Sequence, residues 1–196
     1  QELAKEKGMF SNHPKSIFEK KKKVQHAKPQ EWGLGKKMRN AALTTVAPTG
    51  SISMMFDASS GIEPNFALAY IKQDKDGQQY HYSNQHFKKA LDRLKFSAKE
   101  QNKIFKEVVD KGTIQHLEYL PKAFRDTFVV AMDIPGLDHM KMQAAFQRNV
   151  DNSISKTVNF PNEATKEEIA DTFVQAWKLG CKACTVYRDG SRVIQI

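Results

Sequence analysis

Residues 48–53 combine residue types that could bind a phosphate group. Pro48, Thr49 and Gly50 end a segment rich in Thr, Val and Leu, and Ser51 opens "SISMMF", which predicts a short helix. Backbone N–H groups at a helix N-terminus attract anions, glycine lets an anion approach the backbone, and the hydroxyl groups add donors. The residue types alone leave two interpretations open, a neutral phosphate cradle and an ordinary capped turn.

The two cysteines form the pattern Cys181-Lys-Ala-Cys184, which occurs in redox pairs and in zinc sites. A structural zinc site needs about four ligands, and the chain has no second cysteine pair. The histidines at 81, 86, 116 and 139 also lack the spacing of a metal site. We therefore expect buried or incidental thiols, no metal site, and a reducing, cytoplasmic compartment.

Composition limits the class of protein. The chain has 196 residues, of which 40% are hydrophobic, enough for one domain with a core. No apolar run approaches the ~20 residues that cross a bilayer, so no membrane association is expected. The formal net charge is +9, with the densest lysine cluster at 20–23. This cluster has no interleaved aromatic residues, so we expect a solvated surface and no specific nucleic-acid partner.

Strand and helix patterns alternate along the chain. Segments rich in Thr and Val, or with alternating apolar residues, predict strands, and helical spacing of apolar residues predicts helices. The predicted strands are 41–47, 65–73, 153–160 and "TVYR" after Cys184, and the predicted helices include 29–40, 83–95, 97–112, 138–150 and 164–180. The alternation predicts an α/β fold with a largely parallel sheet.

Two of these helices have clear N-terminal signals. Ser97 lies three residues before Glu100, and Thr165 lies three residues before Glu168. This is the spacing of a capping box, in which the two side chains satisfy backbone N–H groups of the first turn. A glycine follows each helical pattern, as expected at a helix C-terminus.

Three longer segments resemble a known family. They are "RNAALTTVAPTGSISMMFDASSGIEPNFALAY" (39–70), "MQAAFQRNVDNSISKTVNFP" (142–161) and "GCKACTVYRDGSR" (180–192). They are similar, in the same order, to the late barrel region of the large catalytic subunit of ribonucleotide reductases. The third segment most resembles the adenosylcobalamin-dependent (class II) enzymes of that family.

The resemblance implies the C-terminal portion of a ten-stranded α/β barrel. It divides the chain into a polar lead-in at 1–30 and a barrel part at 31–196. It also implies that the cradle binds the phosphates of a ribonucleotide substrate. The residues that match the family's phosphate segment are Pro48, Thr49, Gly50, Ser51 and Ile52, with Ser53 as a neighbour.

The resemblance does not supply a catalytic residue. The family's radical cysteine lies in an Asn-x-Cys-x-Glu pattern, and neither Cys181 nor Cys184 does. The family's essential glutamate belongs to the same pattern, so Glu63 is expected to fix its loop by hydrogen bonds. Tyr187 is expected to be structural, because the class II enzymes need no tyrosine relay. The chain also begins with Gln1, so we expect a section of a larger reductase.

The function implied is a section of a ribonucleoside di- or triphosphate reductase, incomplete as an enzyme on its own. The complete enzyme reduces ribonucleotides to deoxyribonucleotides by radical chemistry, with adenosylcobalamin as cofactor. The expected partners are the ribonucleotide substrate and the remaining N-terminal part of the reductase, and a homodimer stays open. The alternative is a catalytically inactive basic α/β fragment that acts only as a binding or assembly module.

Overall fold

A computed structural model of the protein describes residues 1–16, 18–19, 35–56, 58–73 and 76–191. The lysine cluster at 20–23 and the predicted boundary at residue 30 lie outside the described residues. So does the first half of the predicted helix at 29–40, and its described half, residues 35–40, is not helical. The boundary between lead-in and barrel part therefore stays a prediction.

The described residues form seven α-helices and four β-strands. Two 3-10 turns, at His13–Lys15 and Ala131–Asp133, connect some of them. The helices are α1 Glu2–Lys7, α2 Gly50–Met55, α3 Gln85–Arg93, α4 Ala98–Lys111, α5 Lys122–Thr127, α6 Gly136–Gln147 and α7 Lys166–Lys178. The strands are β1 Ala69–Gln73, β2 Gln79–Ser83, β3 Thr157–Phe160 and β4 Thr185–Arg188.

The parallel part of the fold is built around the segment 151–160. On one side β3 pairs in parallel with β4, with Val158 opposite Val186. On the other side the preceding residues run parallel to 43–46, where Val46 bridges Ile154. The N–H of Ser155 donates to the Val46 carbonyl at 2.9 Å. Three chain segments thus lie side by side in one direction, as expected in an α/β fold.

Buried glutamines of α6 hold the connections of this parallel part. Gln147 Nε2 donates to the Val150 and Asn152 carbonyls at 3.0 and 2.8 Å. Gln143 Nε2 donates to the Ala183 carbonyl at 2.6 Å, just before β4. Helix α6 thereby fixes the entry of both β3 and β4 by hydrogen bonds to backbone groups.

An antiparallel hairpin, β1–β2, and helices α3–α5 form the other part of the fold. The hairpin register places Ile71 opposite His81, and the rings of Tyr70 and Tyr82 stack at 4.7 Å. Phe87 of α3 is fully buried against aromatic rings of α4 and α5. The core of this part comprises Leu68, Ala69, Phe87, Leu91, Ile104, Val108, Ile114, Leu117, Leu120 and Val130.

Both predicted capping boxes are confirmed. Ser97 and Glu100 cap α4, and Thr165 and Glu168 cap α7, each with reciprocal hydrogen bonds. The cap hydrogen bonds lower the pKa of both glutamates, because they stabilise the ionised carboxylate.

The predicted α/β class is confirmed, with corrections to individual elements. Segment 41–47, predicted as a buried strand, is mostly exposed and has one isolated bridge at Val46. The Thr and Val residues of this segment favour extended backbone. The edge that faces away from Ile154, however, pairs with no strand among the described residues. The strand predicted at 153–160 is regular only from Thr157. Strand β2 and helix α5 were not predicted, since neither has clear apolar periodicity.

Candidate functional site

The predicted cradle at 48–53 is an exposed turn that leads into helix α2. Thr49 is the N-cap residue and has left-handed backbone angles, φ 48° and ψ 21°, with no side-chain cap. Such angles are strained for a β-branched residue and occur where the surroundings enforce them. Glycine adopts this conformation without strain, yet it is Thr49 that has it here, and Gly50 belongs to the helix.

The backbone at the start of α2 faces open space. A Cβ atom added to Gly50 would meet no atom within 4 Å. The first N–H groups of a helix have no intrahelical acceptor, and no side chain caps them here. The turn therefore offers backbone donors and the partial positive charge of a helix N-terminus in an accessible position.

Ser53 belongs to the internal structure of the turn. Its Oγ donates to the Gly50 carbonyl at 2.8 Å, and its N–H donates to the Thr49 carbonyl at 3.0 Å. Its side chain is buried, whereas Ser51 and Ile52 are exposed. Ser53 thus holds the first turn of α2, and Ser51 is the hydroxyl on the open side.

The following loop is tied to the turn through Ser60. Its Oγ donates to the Pro48 carbonyl at 2.6 Å and lies 3.4 Å from Thr49 Oγ1. Gly61 has φ 56° and packs against Val46, where a Cβ would lie 3.3 Å from the valine side chain. The loop can approach the turn this closely because a glycine occupies that position.

Glu63 joins this loop to the start of β3. Its Oε2 accepts from Lys156 Nζ at 2.7 Å, and its Oε1 accepts from the Thr157 N–H at 2.6 Å. The expected loop-fixing role of Glu63 is confirmed by these two hydrogen bonds.

Lys156 is the centre of a buried polar cluster. Its side chain is 1% exposed, and its ammonium group donates to Glu63, to His139 Nδ1 and to the Thr157 carbonyl, each at 2.7 Å. An ammonium group has three N–H donors, so all are satisfied. A buried charge is tolerated when it is paired and fully hydrogen-bonded, and Lys156 meets both conditions.

His139 completes the cluster from helix α6. Its Nε2 lies 3.0 Å from the Ala131 carbonyl, and its Nδ1 faces the Lys156 ammonium. Burial, followed by the nearby Lys156 charge, lowers the pKa of His139 below its usual range. The ring is therefore neutral, with Nδ1 accepting from Lys156 and Nε2–H donating to Ala131.

Lys156 was not among the residues predicted from the sequence, although a signal was present. In "SISKTVNF" the residues Ile154, Lys156 and Val158 lie at alternate positions and share one face of an extended segment. All three are buried. A lysine in phase with buried apolar residues predicts a paired, interior charge, and that inference was available from the sequence.

Cys181 and Cys184 are free, half-buried thiols that pack against the core between α6 and α7. The Sγ of Cys184 lies 3.9 Å from Met140 Sδ. Burial raises the pKa of both thiols. For Cys181, the charge of the neighbouring Cys184 raises the pKa further. Both therefore pack as small apolar side chains. Tyr187 lies in β4 opposite Asn159, in agreement with a structural position.

The fold has counterparts among known proteins. The family model for the ribonucleotide reductase barrel domain matches residues 1–187. The chain belongs to the ribonucleotide reductase barrel-domain family. The resemblance noted in the sequence is thereby confirmed.

Similar proteins agree with this assignment. The chain is 36% identical, over its full length, to a vitamin B12-dependent ribonucleoside-diphosphate reductase of Thermoplasma acidophilum. It is 37% identical over 158 residues, 81% of its length, to the enzyme of the same name of Mycobacterium tuberculosis. The chain spans 23% and 22% of these two relatives, or about a quarter of their length.

A solved structure supports the fold. The class Id ribonucleotide reductase alpha subunit of Actinobacillus ureae matches with a TM-score of 0.65 and 23% sequence identity. The match covers 80% of this chain and 28% of that one. It supports the prediction of a partial α/β barrel. Among the described residues, no helix has both the length and the apolar character needed to cross a membrane.

Proposed function

We propose that this chain supplies the substrate-phosphate loop of a ribonucleotide reductase. The loop comprises Pro48–Ile52, with Ser53 as the neighbour that holds the turn. The observation behind the proposal is the exposed start of α2, where no side chain caps the backbone N–H groups and a Cβ atom added to Gly50 would meet no atom within 4 Å. These donors suit the phosphates of a ribonucleotide.

The loop contributes binding and orientation to the reaction. Its donors are backbone N–H groups and the Ser51 hydroxyl, so it binds phosphate without a charged side chain of its own. Holding the phosphates fixes the distance between the loop and the ribose, which is what the reaction needs from this part of the barrel. The reaction of the complete enzyme replaces the ribose 2′-hydroxyl with hydrogen and yields a deoxyribonucleotide for DNA synthesis.

The two compared relatives are named for diphosphate substrates and vitamin B12. We propose the same substrate class and adenosylcobalamin as the cofactor, which supplies the radical when bound. We assign none of the described residues to the cofactor. We also assign no catalytic residue, since burial disfavours the thiolates of Cys181 and Cys184.

The proposed compartment is the cytoplasm. The proposed protein partner is the remaining barrel of the reductase. Support comes from apolar side chains exposed on and near α2. Met55 is 77% exposed, and Ile52, Met54, Phe56 and Phe66 are more than half exposed. Apolar side chains grouped in this way are typical of a surface that another part of a protein covers.

A nucleotide titration tests the loop. The 15N-labelled chain is titrated with a ribonucleoside diphosphate while its amide NMR signals are recorded. We expect the largest shifts at Gly50, Ser51 and Ile52. The variant Gly50→Val should bind at least about tenfold more weakly, because a branched side chain obstructs approach to the backbone.

The matched control is Met54→Val, which places the same residue in α2 away from its N-terminus. It should retain the affinity of the unsubstituted chain. Equal affinity of Gly50→Val and Met54→Val would contradict the assignment of the phosphate loop.

A reconstitution assay separates the enzyme from the binding-module alternative. The chain is combined with the remaining reductase polypeptide, a ribonucleoside diphosphate, a dithiol reductant and adenosylcobalamin. Deoxyribonucleotide formation that depends on this chain supports the proposal. A stable complex without activity would instead support an assembly module.

A further inference from the structure

A continuous chain of hydrogen bonds leads from the proposed phosphate loop into the interior. The Pro48 carbonyl accepts from Ser60 Oγ, and the Ser60 carbonyl accepts from the Glu63 N–H at 3.0 Å. The Glu63 carboxylate then accepts from Lys156, and Lys156 donates to His139. Each link joins the loop more firmly to β3 and α6.

At the interior end of this hydrogen-bond series, each group has fixed partners. Lys156 donates to three different acceptors, two of them side chains from other parts of the sequence. His139 is itself held by the Ala131 carbonyl at 3.0 Å. Because every partner is also fixed to backbone or to a second side chain, the carboxylate of Glu63 has one favoured position.

At the exposed end of this hydrogen-bond series, the backbone of Thr49 is strained. Thr49 adopts left-handed angles without a side-chain cap, which persists only where neighbouring contacts enforce it. Ser60 supplies such contacts, to the Pro48 carbonyl and beside Thr49 Oγ1. The position of Ser60 depends in turn on Glu63, three residues further along the same loop.

We propose that Lys156 is a positioning residue that fixes the phosphate loop at 48–53 through Glu63 and Ser60. Its effect on phosphate binding rests on the proposed function of that loop, whereas its effect on loop order does not. A buried ion pair is weak evidence for stability, since apolar residues of similar volume often replace one without loss. The partners of Lys156 indicate a positioning role, because they connect the loop that contains Glu63 to the start of β3 and to α6.

The test measures hydrogen exchange and pyrophosphate binding in the full chain. The variants are Lys156→Met, Glu63→Gln and the double substitution. Exchange is followed at the N–H groups of Ser53 and Ala58, which donate to Thr49 and Ser53 carbonyls. In both single variants we expect at least about tenfold faster exchange at these two amides, relative to the amides of α4.

Two further variants keep the result interpretable. Lys141→Met is the matched control, because it removes an exposed lysine of α6 that pairs with Asp138 at 2.8 Å. It should leave exchange in the loop unchanged. Ser60→Ala breaks the exposed hydrogen bond to Pro48 without disturbing the buried charges. It therefore tests the hydrogen-bond series even if Lys156→Met does not fold. It should also accelerate exchange at Ser53.

The outcomes separate the two proposals. Faster exchange confined to the loop, together with roughly tenfold weaker binding of inorganic pyrophosphate, supports both. Faster loop exchange in a chain that never binds pyrophosphate supports the positioning role and contradicts the phosphate loop. Unchanged loop exchange in Glu63→Gln and Ser60→Ala overturns the positioning role, whatever the chain binds. An equal rise across α4 and the loop would also overturn it, since that result indicates general destabilisation.

Discussion

The hairpin–helix region and the parallel-strand region bury their side chains in different ways. The first, comprising β1, β2 and α3–α5, encloses ten buried apolar residues and several aromatic rings. The second, comprising β3, β4, α6 and α7, has only five buried apolar residues in its core cluster. It also buries polar side chains, which include His139, Gln143, Gln147, Lys156, Asn159 and Thr172.

Both regions expose large apolar side chains at their surfaces. Helix α7 exposes Phe173, Val174 and Trp177, the last by 61%, although its sequence pattern places apolar residues on one face. In the predicted apolar set of α3, Phe87 and Leu91 are buried, whereas Leu94 is 39% exposed. The first region likewise exposes Tyr80, Val109 and Tyr119, so the two regions differ in what their cores contain and not in whether they expose apolar side chains. The second region positions the candidate site with hydrogen bonds of buried polar side chains.

The largest expected effect is in the first core. Phe87 is 0% exposed and lies within 5.2–5.8 Å, between ring centroids, of Phe105, Phe124 and Phe128. Phe87→Ala removes these contacts and leaves a cavity, so the free energy of unfolding should fall by about 3–5 kcal/mol. Urea unfolding followed by circular dichroism measures this change.

Phe173→Ala is the matched control in the second region. Phe173 is 46% exposed on α7, so its loss should lower the free energy of unfolding by less than about 1 kcal/mol. Equal losses of unfolding free energy for the two variants would contradict the tight packing of Phe87 in the first core.

Local signals in the sequence predicted helices α3 and α4 of the first region, but not β2 or α5. The capping box at Ser97 and Glu100 and the helical spacing of apolar residues over 97–112 were sufficient to locate α4, because these features lie within a few turns of one helix. The same holds for α7, whose cap was also predicted. The extent to which each helix face is covered could not be predicted, since that depends on chain segments distant in sequence.

The candidate site was predictable only in part. The residue types at 48–53 indicated the turn and helix α2, and the resemblance singled out the phosphate loop. The link from Glu63 to Lys156 joins residues 93 positions apart, and a one-dimensional pattern does not encode such a pairing. The left-handed conformation of Thr49 was also not predictable, because the fold imposes it against the residue's own preference.

The second-largest expected effect tests how closely the second core is packed. Gly136 is the first residue of α6, and a Cβ atom there would lie 3.1 Å from the Phe160 ring and 3.3 Å from Val158 Cγ1. Gly136→Ala should therefore lower the free energy of unfolding by about 1–3 kcal/mol through overpacking.

Gly50→Ala makes the same chemical change at the first residue of α2, where no atom lies within 4 Å of the added Cβ. It should change the free energy of unfolding by no more than about 0.5 kcal/mol. A thermal shift of equal size in both variants would show that α6 is not tightly packed on β3.

The smallest expected effect is a pH dependence confined to the second region. The pKa of His139 is lowered by burial and by Lys156, while the Ala131 carbonyl, Glu63 and Asp138 act in the opposite direction. The unfolded chain therefore binds a proton at this residue more readily than the folded chain does. Stability should be unaffected above about pH 6.5, the ordinary histidine value, and should fall as the pH drops below it.

His139→Gln removes the titrating group and keeps a donor for the Ala131 carbonyl, so it should flatten the melting temperature between pH 7 and pH 5. His116→Gln is the control in the first region, where the ring lies 3.3 Å from Glu107 near the surface. It should leave the fall in melting temperature intact. If His116→Gln flattens the profile and His139→Gln does not, the acid sensitivity lies in the hairpin–helix region. The buried polar cluster then has no influence on the pH dependence of stability.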